Sequence, residues 1–597
     1  MTVAMQEQRV MISPDYVERC AAVIEKSGAH KMVDFYFSQD RGVGGRKSTG
    51  PTYSMLGVLT VGLALIGIRR VPSMAEIWRT LWTLDPVQQA RLDLDLSCGE
   101  GTYRAFAMWL TRRLEPLDSL PEAPARRVKS GDHRRMMAAR SPEQEQASEV
   151  ASERLHQVIN ALVTGSIHEQ APKGYRGDIV ADETIIDLAG QSMGLGSRDT
   201  KRRGAAYSGA YYIRDREDHS LHSELGTRRS TKGGVAVGIT AVCRIGPPKA
   251  VYSVAPVITG ISIDKPSSGS VQGLARAIRF HQENGFDQRI KRGRMPLLTV
   301  DMGYNVKKHF NDELLAAGYA PVVRYPTSWR TVFASDSAAG DEPASGPVQI
   351  AGEFYCPAAR AIAGDGKIVR RTMELLAEDD GFERHDARLE ALFPLIMGMN
   401  SRPYRARQGR GRPRKQEDNS EKPVKVDLVC PAVQGRVRCP LKPASMTLAS
   451  EEAPEISPSW SADHHKCCAK SSITHTLTPE QWKRSQWGLV PGSWEHATYY
   501  EATRAITEQR FSIMKSPHVT GMESFKRGVR REPMLYITLA LWVASTNLEI
   551  QEQFERKTAG QDSMTRRLRM VREDTGRDLA KVPPGLNCLG NRLKRMF

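Results

Sequence analysis

The apolar pattern changes period at residue 173, and that change limits the fold more than any other feature of the chain. Before it, apolar residues recur at three- and four-residue steps. "YVERCAAVIEKSG", "PSMAEIWRTLWTL" and "TYRAFAMWLTRRLEPL" therefore read as helices. After it come β-branched runs. "GDIVADETIIDL", "GGVAVGITAVCRI" and "KAVYSVAPVITGI" read as strands, the last two parted by the turn signal "GPP". "GSVQGLARAIRFHQENG" then reads as a helix ending at Gly285, and "MPLLTVD" as a short buried strand. "VKKHFNDELLAAG" reads as a helix ending at Gly318, followed by the strand "YAPVVRY". Three strands, helix, strand, helix, strand specify an α/β unit with a mixed sheet, preceded by an all-α segment.

The same reading divides the chain. Residues 1–130 are helical, 131–172 a linker, with the Arg-, Ala-, Ser- and Glu-rich stretch 123–150 read as either linker or exposed helix, and 173–325 the first part of an α/β core. Between Asp187 and Lys232 the core carries a polar excursion rich in Gly, Arg and Ser, read as a long loop. Residues 326–490 break the rhythm: β-prone pieces such as "GPVQIAGEFYC" and "KVDLVCP" alternate with polar low-complexity stretches, giving a β-rich insertion. Two strong helices within 491–556 resume the core, and 557–597 form a basic, loosely held tail.

Lys and Arg number 85 against 68 Asp and Glu, a net charge of +17. Such a surplus calls for a polyanionic partner, nucleic acid or an anionic membrane. The longest apolar run, "MLGVLTVGLALIGI" at 55–68, is too short to span a bilayer and reads as a buried helix ending at Arg69-Arg70. The N-terminus has no secretory pattern, and nine scattered cysteines suit a reducing compartment. Together these features predict a soluble, cytoplasmic, nucleoid-associated protein. No Gly-x-Ser-x-Gly elbow and no Gly-x4-Gly-Lys-Ser/Thr loop occurs, which argues against a serine hydrolase and against ATP use.

Chemistry gathers on three acids. Asp182 lies within the first strand run, Asp301 ends the fourth, and Glu508 belongs to the first helix after the insertion. Arg504, Glu508 and Lys515 are spaced by four and seven residues, nearly one helical face. If the first and fourth strands are neighbours, Asp182 and Asp301 meet. Three carboxylates suit Mg²⁺ or Mn²⁺, and two such ions stabilise both oxygens of an in-line phosphoryl displacement. Taken singly, each acid also fits a plain role: Asp182 at a turn, Asp301 as an N-cap, Glu508 paired with Arg504 on a solvated face.

These motifs resemble the DDE transposases of bacterial insertion sequences, in the branch whose ribonuclease H-like domain is interrupted by a β-rich insertion. "PTYSMLGVLTVGLALIGIRRVPSMAEIWRTL" is similar to that family's N-terminal helical segment. "VADET" stands where the family often has Asp-Gly-Thr, and "TVDMGYN" resembles its Asp-x-Gly-Tyr motif. "ATRAITEQRFSIMKS" is similar to the Arg-x3-Glu-x6-Lys part of its C-terminal signature, and "LALWVASTNLEI" to its closing helix. The resemblance implies that Asp182, Asp301 and Glu508 are the catalytic triad and hold two Mg²⁺ or Mn²⁺ ions. It also implies that Arg504 and Lys515 contact DNA phosphates, that the N-terminal helices bind DNA, and that a homodimer or larger assembly forms on paired DNA ends. Glu501 stands where the signature has tyrosine; Tyr500, one turn before Arg504, is assigned the DNA contact. Glu183 replaces the usual glycine, as an extra ligand or a bystander. A ribonuclease H-like DNA nuclease or resolvase without strand transfer is one alternative. A catalytically inactive DNA-binding protein is the other.

Two further motifs lie in the insertion. "RQGRGRPRK" at 407–415 contains Arg410-Gly411-Arg412-Pro413-Arg414, an AT-hook pattern in which guanidinium groups follow a narrow minor groove. A basic loop holding any phosphate backbone is the simpler alternative. Cys356, Cys430 and Cys439 each precede proline, and His464, His465, Cys467 and Cys468 crowd together in "DHHKCCAK". Thiolates and imidazoles suit zinc. No Cys-x2-Cys pair occurs, however, and adjacent cysteines do not easily share one ion. The sequence therefore assigns reduced, buried cysteines and no zinc site.

Overall fold

The computed structural model describes residues 11–40, 50–97, 101–124, 128–189, 206–214, 232–266, 269–288, 294–333, 346–364, 366–405, 422–516, 518–520 and 531–556. It also describes short pieces within 568–583. Eight helices come first: α1 (Pro14–Ser27), α2 (Ala29–Gln39), α3 (Met55–Gly67), α4 (Met74–Leu81), α5 (Pro86–Arg91), α6 (Tyr103–Leu114), α7 (Ser130–Ala138) and α8 (Pro142–Gly165). The fourteen-residue apolar run supplies α3, which is buried along nearly its whole length and capped by Ser54, whose hydroxyl accepts from the Gly57 amide. The segment read as a linker, 131–172, instead carries α7 and α8. The first two turns of α8 are polar and exposed, which hides its later apolar stripe of Leu155, Ile159 and Leu162. The helix packs against α1 and against β4 and α19, introduced below.

The fold is mixed α/β. Its main sheet holds β1 (Ile179–Asp187), β2 (Ala210–Arg214), β3 (Lys232–Arg244), β4 (Ile258–Asp264), β5 (Leu297–Thr299) and β6 (Ala320–Val322). Antiparallel β3 lies on one side of β1; β5 and then β6 lie parallel on the other. The far edge of β3 is shared end to end by β2 and β4. Part of the polar excursion thus forms β2, and the third predicted strand begins nine residues later than "KAVYS" suggests. Helix α9 (Ser270–Glu283) follows β4, and α10 (Met302–Asn305) and α11 (Phe310–Ala317) join β5 to β6. Gly260 lets α9 approach closely: a Cβ there would stand 2.3 Å from the Ala277 carbonyl oxygen.

The insertion is less β-rich than its sequence suggests. It contains β7 (Val332–Phe333), β8 (Val348–Ile350) and β9 (Glu353–Tyr355) in one small sheet. A second sheet holds β10 (Gly398–Met399), β11 (Tyr404–Arg405), β12 (Val424–Val429) and β13 (Ser472–Thr476). Between them lie α12 (Ala359–Ala363), α13 (Thr372–Leu376), α14 (Gly381–Leu392), α15 (Pro443–Leu448), α16 (Lys466–Ala469) and α17 (Pro479–Arg484). Most of these helices are too short to display a periodic stripe. The chain closes with α18 (Trp494–Lys515) and α19 (Glu532–Arg556). Part of the supposed loose tail is docked: Ala580 and Val582 are buried in the insertion's own core, and the Ala580 amide donates to Asp386 at 2.9 Å.

The N-terminal helices, the main sheet, α18 and α19 share one hydrophobic core. Two asparagines finish the free edge of β4. Asn160 of α8 exchanges two hydrogen bonds with the backbone of Ile261, and Asn547 of α19 does the same at Ile258. Each side-chain amide replaces a missing strand partner. Among the described residues no helix is long and apolar enough to cross a membrane.

Candidate active site

The register of β1 against β5 decides where the first two acids stand. Asp178, just before β1, accepts from the Leu297 amide at 2.8 Å and from Arg294 at 2.6 Å, which ties the two strand starts together. Ile179 then pairs with Leu298 and Val180 with Thr299. Carried two residues further, that register sets Asp182 beside Asp301. Asp301 is exposed and occupies the N-cap position of α10, but its side chain makes no cap hydrogen bond.

Helix α18 brings the third acid. Ser493 caps it, and a buried face including Tyr499, Ala502, Thr503, Ile506 and Met514 seats it across β1 and β5. Thr503 donates to Thr299 of β5 at 3.1 Å. On the more open side, Arg504 donates to Asp182 at 2.8 Å and reaches Glu508 at 3.5 Å. One guanidinium thus stands between two of the three predicted acids. The Glu508 side chain is 71% exposed, whereas those of Asp182 and Arg504 are 18% and 15% exposed. Lys515, two turns on, donates to the carbonyl of Ile185 in β1 at 2.9 Å.

Electrostatics match this placement. Burial pushes the Asp182 carboxyl above the usual carboxylate range and neighbouring Asp301 adds to the rise, while Arg504 and the Glu183 amide oppose it. Burial lowers the Arg504 pKa, but Asp182 outweighs it and the guanidinium stays charged. Tyr500 is buried beside the acids; burial first, then Asp301, pushes its phenol up to about 12. Burial, then Asp182 and Glu183, also raises buried Tyr304 of "DMGYN".

Glu183 follows Asp182 in the strand and so faces the other side of the sheet. Ser270, at the start of α9, donates to it at 3.3 Å. It is thus carried away from the carboxylate group that Asp182 joins. Arg410, Arg412 and Arg414 lie outside the described residues. Sequence reasoning did not single out Arg324. It follows β6 as Asp301 follows β5, lies over the Tyr500 ring at 4.8 Å and pairs with Glu501 at 3.2 Å. Its signal was a charged residue at the C-terminal end of a short apolar strand, the edge where open α/β sheets expose their ligand sites. Arg324, Arg330, Arg371, Tyr500 and Glu501 line one cavity.

Among the described residues no three His, Cys, Asp or Glu side chains already stand as a formed metal-binding group. The donor set nonetheless has the right chemistry for a hard divalent cation: carboxylate oxygens only, two of them presently sharing a guanidinium. Comparison of the chain with protein-family models and with curated proteins finds no match.

Proposed function

We propose that the protein is a DDE-type DNA transposase, with a ribonuclease H-like core and a site formed by Asp182, Asp301 and Glu508. The observation that carries the reading is the placement of Asp182 in β1 beside Asp301, two residues past the end of the adjacent parallel strand β5, with Arg504 linking Asp182 to Glu508. The sheet order β4-β3-β1-β5-β6, antiparallel on one side of β1 and parallel on the other, supports the ribonuclease H-like assignment. The +17 charge supports a DNA substrate.

In this reading the three carboxylates hold Mg²⁺ or Mn²⁺, which when bound polarises the scissile phosphate and activates the attacking oxygen. Arg504 opposes the burial that raises the Asp182 pKa, and it must yield that carboxylate for the cation to enter. Tyr500 and Arg324 border the strand entering the site, and Lys515 stands where it can take a phosphate from beyond Glu508. The N-terminal helices and the 407–415 segment grip the rest of the duplex, as a homodimer or larger assembly pairing two ends.

The test incubates the full chain with Mg²⁺ and DNA bearing the terminal inverted repeats that flank its own coding sequence. Cleavage with joined product is expected, and Asp182→Ala, Asp301→Ala and Glu508→Ala should each abolish both without loss of DNA binding. Cleavage without joining would leave a nuclease, and binding alone a non-catalytic DNA-binding protein. Cleavage retained by Asp301→Ala would remove the proposed site.

A further inference from the structure

Five cysteines from four separate stretches of the chain line one small cavity in the insertion: Cys356, Cys430, Cys439, Cys467 and Cys468. Cys356 follows β9, Cys430 follows β12, Cys439 lies in the next loop, and the last two sit in α16. All are buried and none forms a disulfide. The cavity holds about 10 Å³, room for one atom-sized guest. We propose that this cavity is a structural zinc site with Cys356, Cys430, Cys439 and Cys468 as its four ligands.

Two observations beyond proximity point to an anionic metal–thiolate centre rather than a packed cluster of thiols. First, each Cys-Pro turn presents backbone N–H groups to its own sulfur. Ala358 does so for Cys356, Ala432 and Val433 for Cys430, and Leu441 and Lys442 for Cys439. Such donors stabilise a thiolate and hold a ligand in orientation; an apolar core thiol has no use for them. Second, Arg436 is largely buried beside Cys430 and Cys356 with no carboxylate partner among the described residues. Its guanidinium bonds only the carbonyls of Pro394 and Ile396 and the Gln434 side chain, and its Nε is unsatisfied. A buried cation without a counter-ion is costly. A tetrathiolate zinc centre carries two negative charges, and Arg436 with nearby Lys442 balances them.

The choice of fourth ligand follows from position. Cys467 and Cys468, hydrogen-bonded to each other, both lie within electrostatic reach of Cys356 and Cys430, but Cys468 also reaches Cys439, which completes the set of four. His465 is already used, accepting from the Gly346 amide at 2.9 Å. The sulfurs do not yet stand at coordinating separations, so binding turns them inward about their Cα–Cβ bonds. Four thiols lose four protons and Zn²⁺ takes four thiolates, with no redox change. The ion then ties the sheet of β7, β8 and β9 to the sheet of β12.

The test is metal analysis of the full chain purified from zinc-supplemented cells. About one zinc per chain is expected, lost in Cys430→Ser, Cys439→Ser and Cys468→Ser but kept in Cys467→Ser and Cys243→Ser. Should the ligand variants not fold, the wild-type chain decides. Cobalt replacing the metal should give thiolate charge-transfer absorption. Cys356, Cys430, Cys439 and Cys468 should resist alkylation together and react together after chelation. A zinc-free wild type without cobalt–thiolate absorption would overturn the proposal, as would zinc retained by folded Cys430→Ser and Cys439→Ser.

Discussion

Replacing Arg504 with glutamine should destabilise the domain strongly, and more at pH 8 than at pH 5. Asp182 and Arg504 are 2.8 Å apart with side chains 18% and 15% exposed. At an effective dielectric of about 20, unit charges at that distance attract by roughly 6 kcal/mol. Desolvation of the two ions cancels most of this, so the intact pair adds little net stability. Removing one partner is different, because the other stays buried and charged. That typically costs about 3–5 kcal/mol. Here the Glu183 amide still donates to Asp182 at 2.8 Å, which puts the expected loss near the lower end.

Protonation sets the pH dependence. Burial already raises the Asp182 pKa, and loss of Arg504 raises it further above its unfolded value. A carboxyl raised in the folded state favours folding at low pH, and that contribution is lost as pH rises through the folded pKa. The deficit of Arg504→Gln is therefore smallest in acid. Asp182→Asn alone should cost less, and the double variant less than the sum of the two, by about 2 kcal/mol. In a cooperative unit of roughly 150–250 residues this is about 4–8 °C of non-additivity in thermal midpoint. The assay is thermal unfolding of the four proteins in a chelating buffer at both pH values. Additivity within about 1 °C, or a deficit that grows toward acid, would refute the reasoning.

Three further outcomes are expected. Burial pushes Glu353 up to about 8 against 4.5 when unfolded, with the Phe354 amide opposing. Its favourable contribution is complete below pH 4.5 and fades toward pH 8, so Glu353→Gln should gain stability relative to wild type as pH rises, measured by thermal unfolding from pH 5 to 8.5. Gly260→Ala would drive a Cβ to 2.3 Å from the Ala277 carbonyl oxygen and force α9 off β4. It should lower stability by about 1–3 kcal/mol, and an unchanged melting point would contradict that close approach. Asp386 accepts from Trp494 at 2.6 Å and from the Ala580 amide at 2.9 Å; Asp386→Ala should release residues 578–583, seen as faster proteolysis there with the rest of the digestion pattern unchanged.

Much of the element order was legible because helices α3, α9, α18 and α19 are long enough to show a period or a continuous apolar run. Helix α8 was not settled, since its polar first turns fit a linker as well as an exposed helix and its apolar stripe starts only at Ala151. The insertion misled for a related reason. Strands and helices of two to six residues carry no period, and only α14 among its helices reaches twelve. At the candidate site, spacing alone set Arg504 and Glu508 on one face, and they do touch. Arg324 escaped notice because its partners Tyr500 and Glu501 lie far along the chain.

The sequence by itself determined the change from helical to strand periodicity, the excess of positive charge, and the helical face shared by Arg504, Glu508 and Lys515. These are local or additive properties, fixed by neighbours a few residues apart or by simple composition. Tertiary structure alone decided the rest. Asp178 locks the register that sets Asp182 beside Asp301, across more than a hundred residues of chain. Packing likewise gathers five unpatterned cysteines around one cavity, with Arg436 beside two of them. Such contacts depend on which surfaces are buried together, and no local period encodes that.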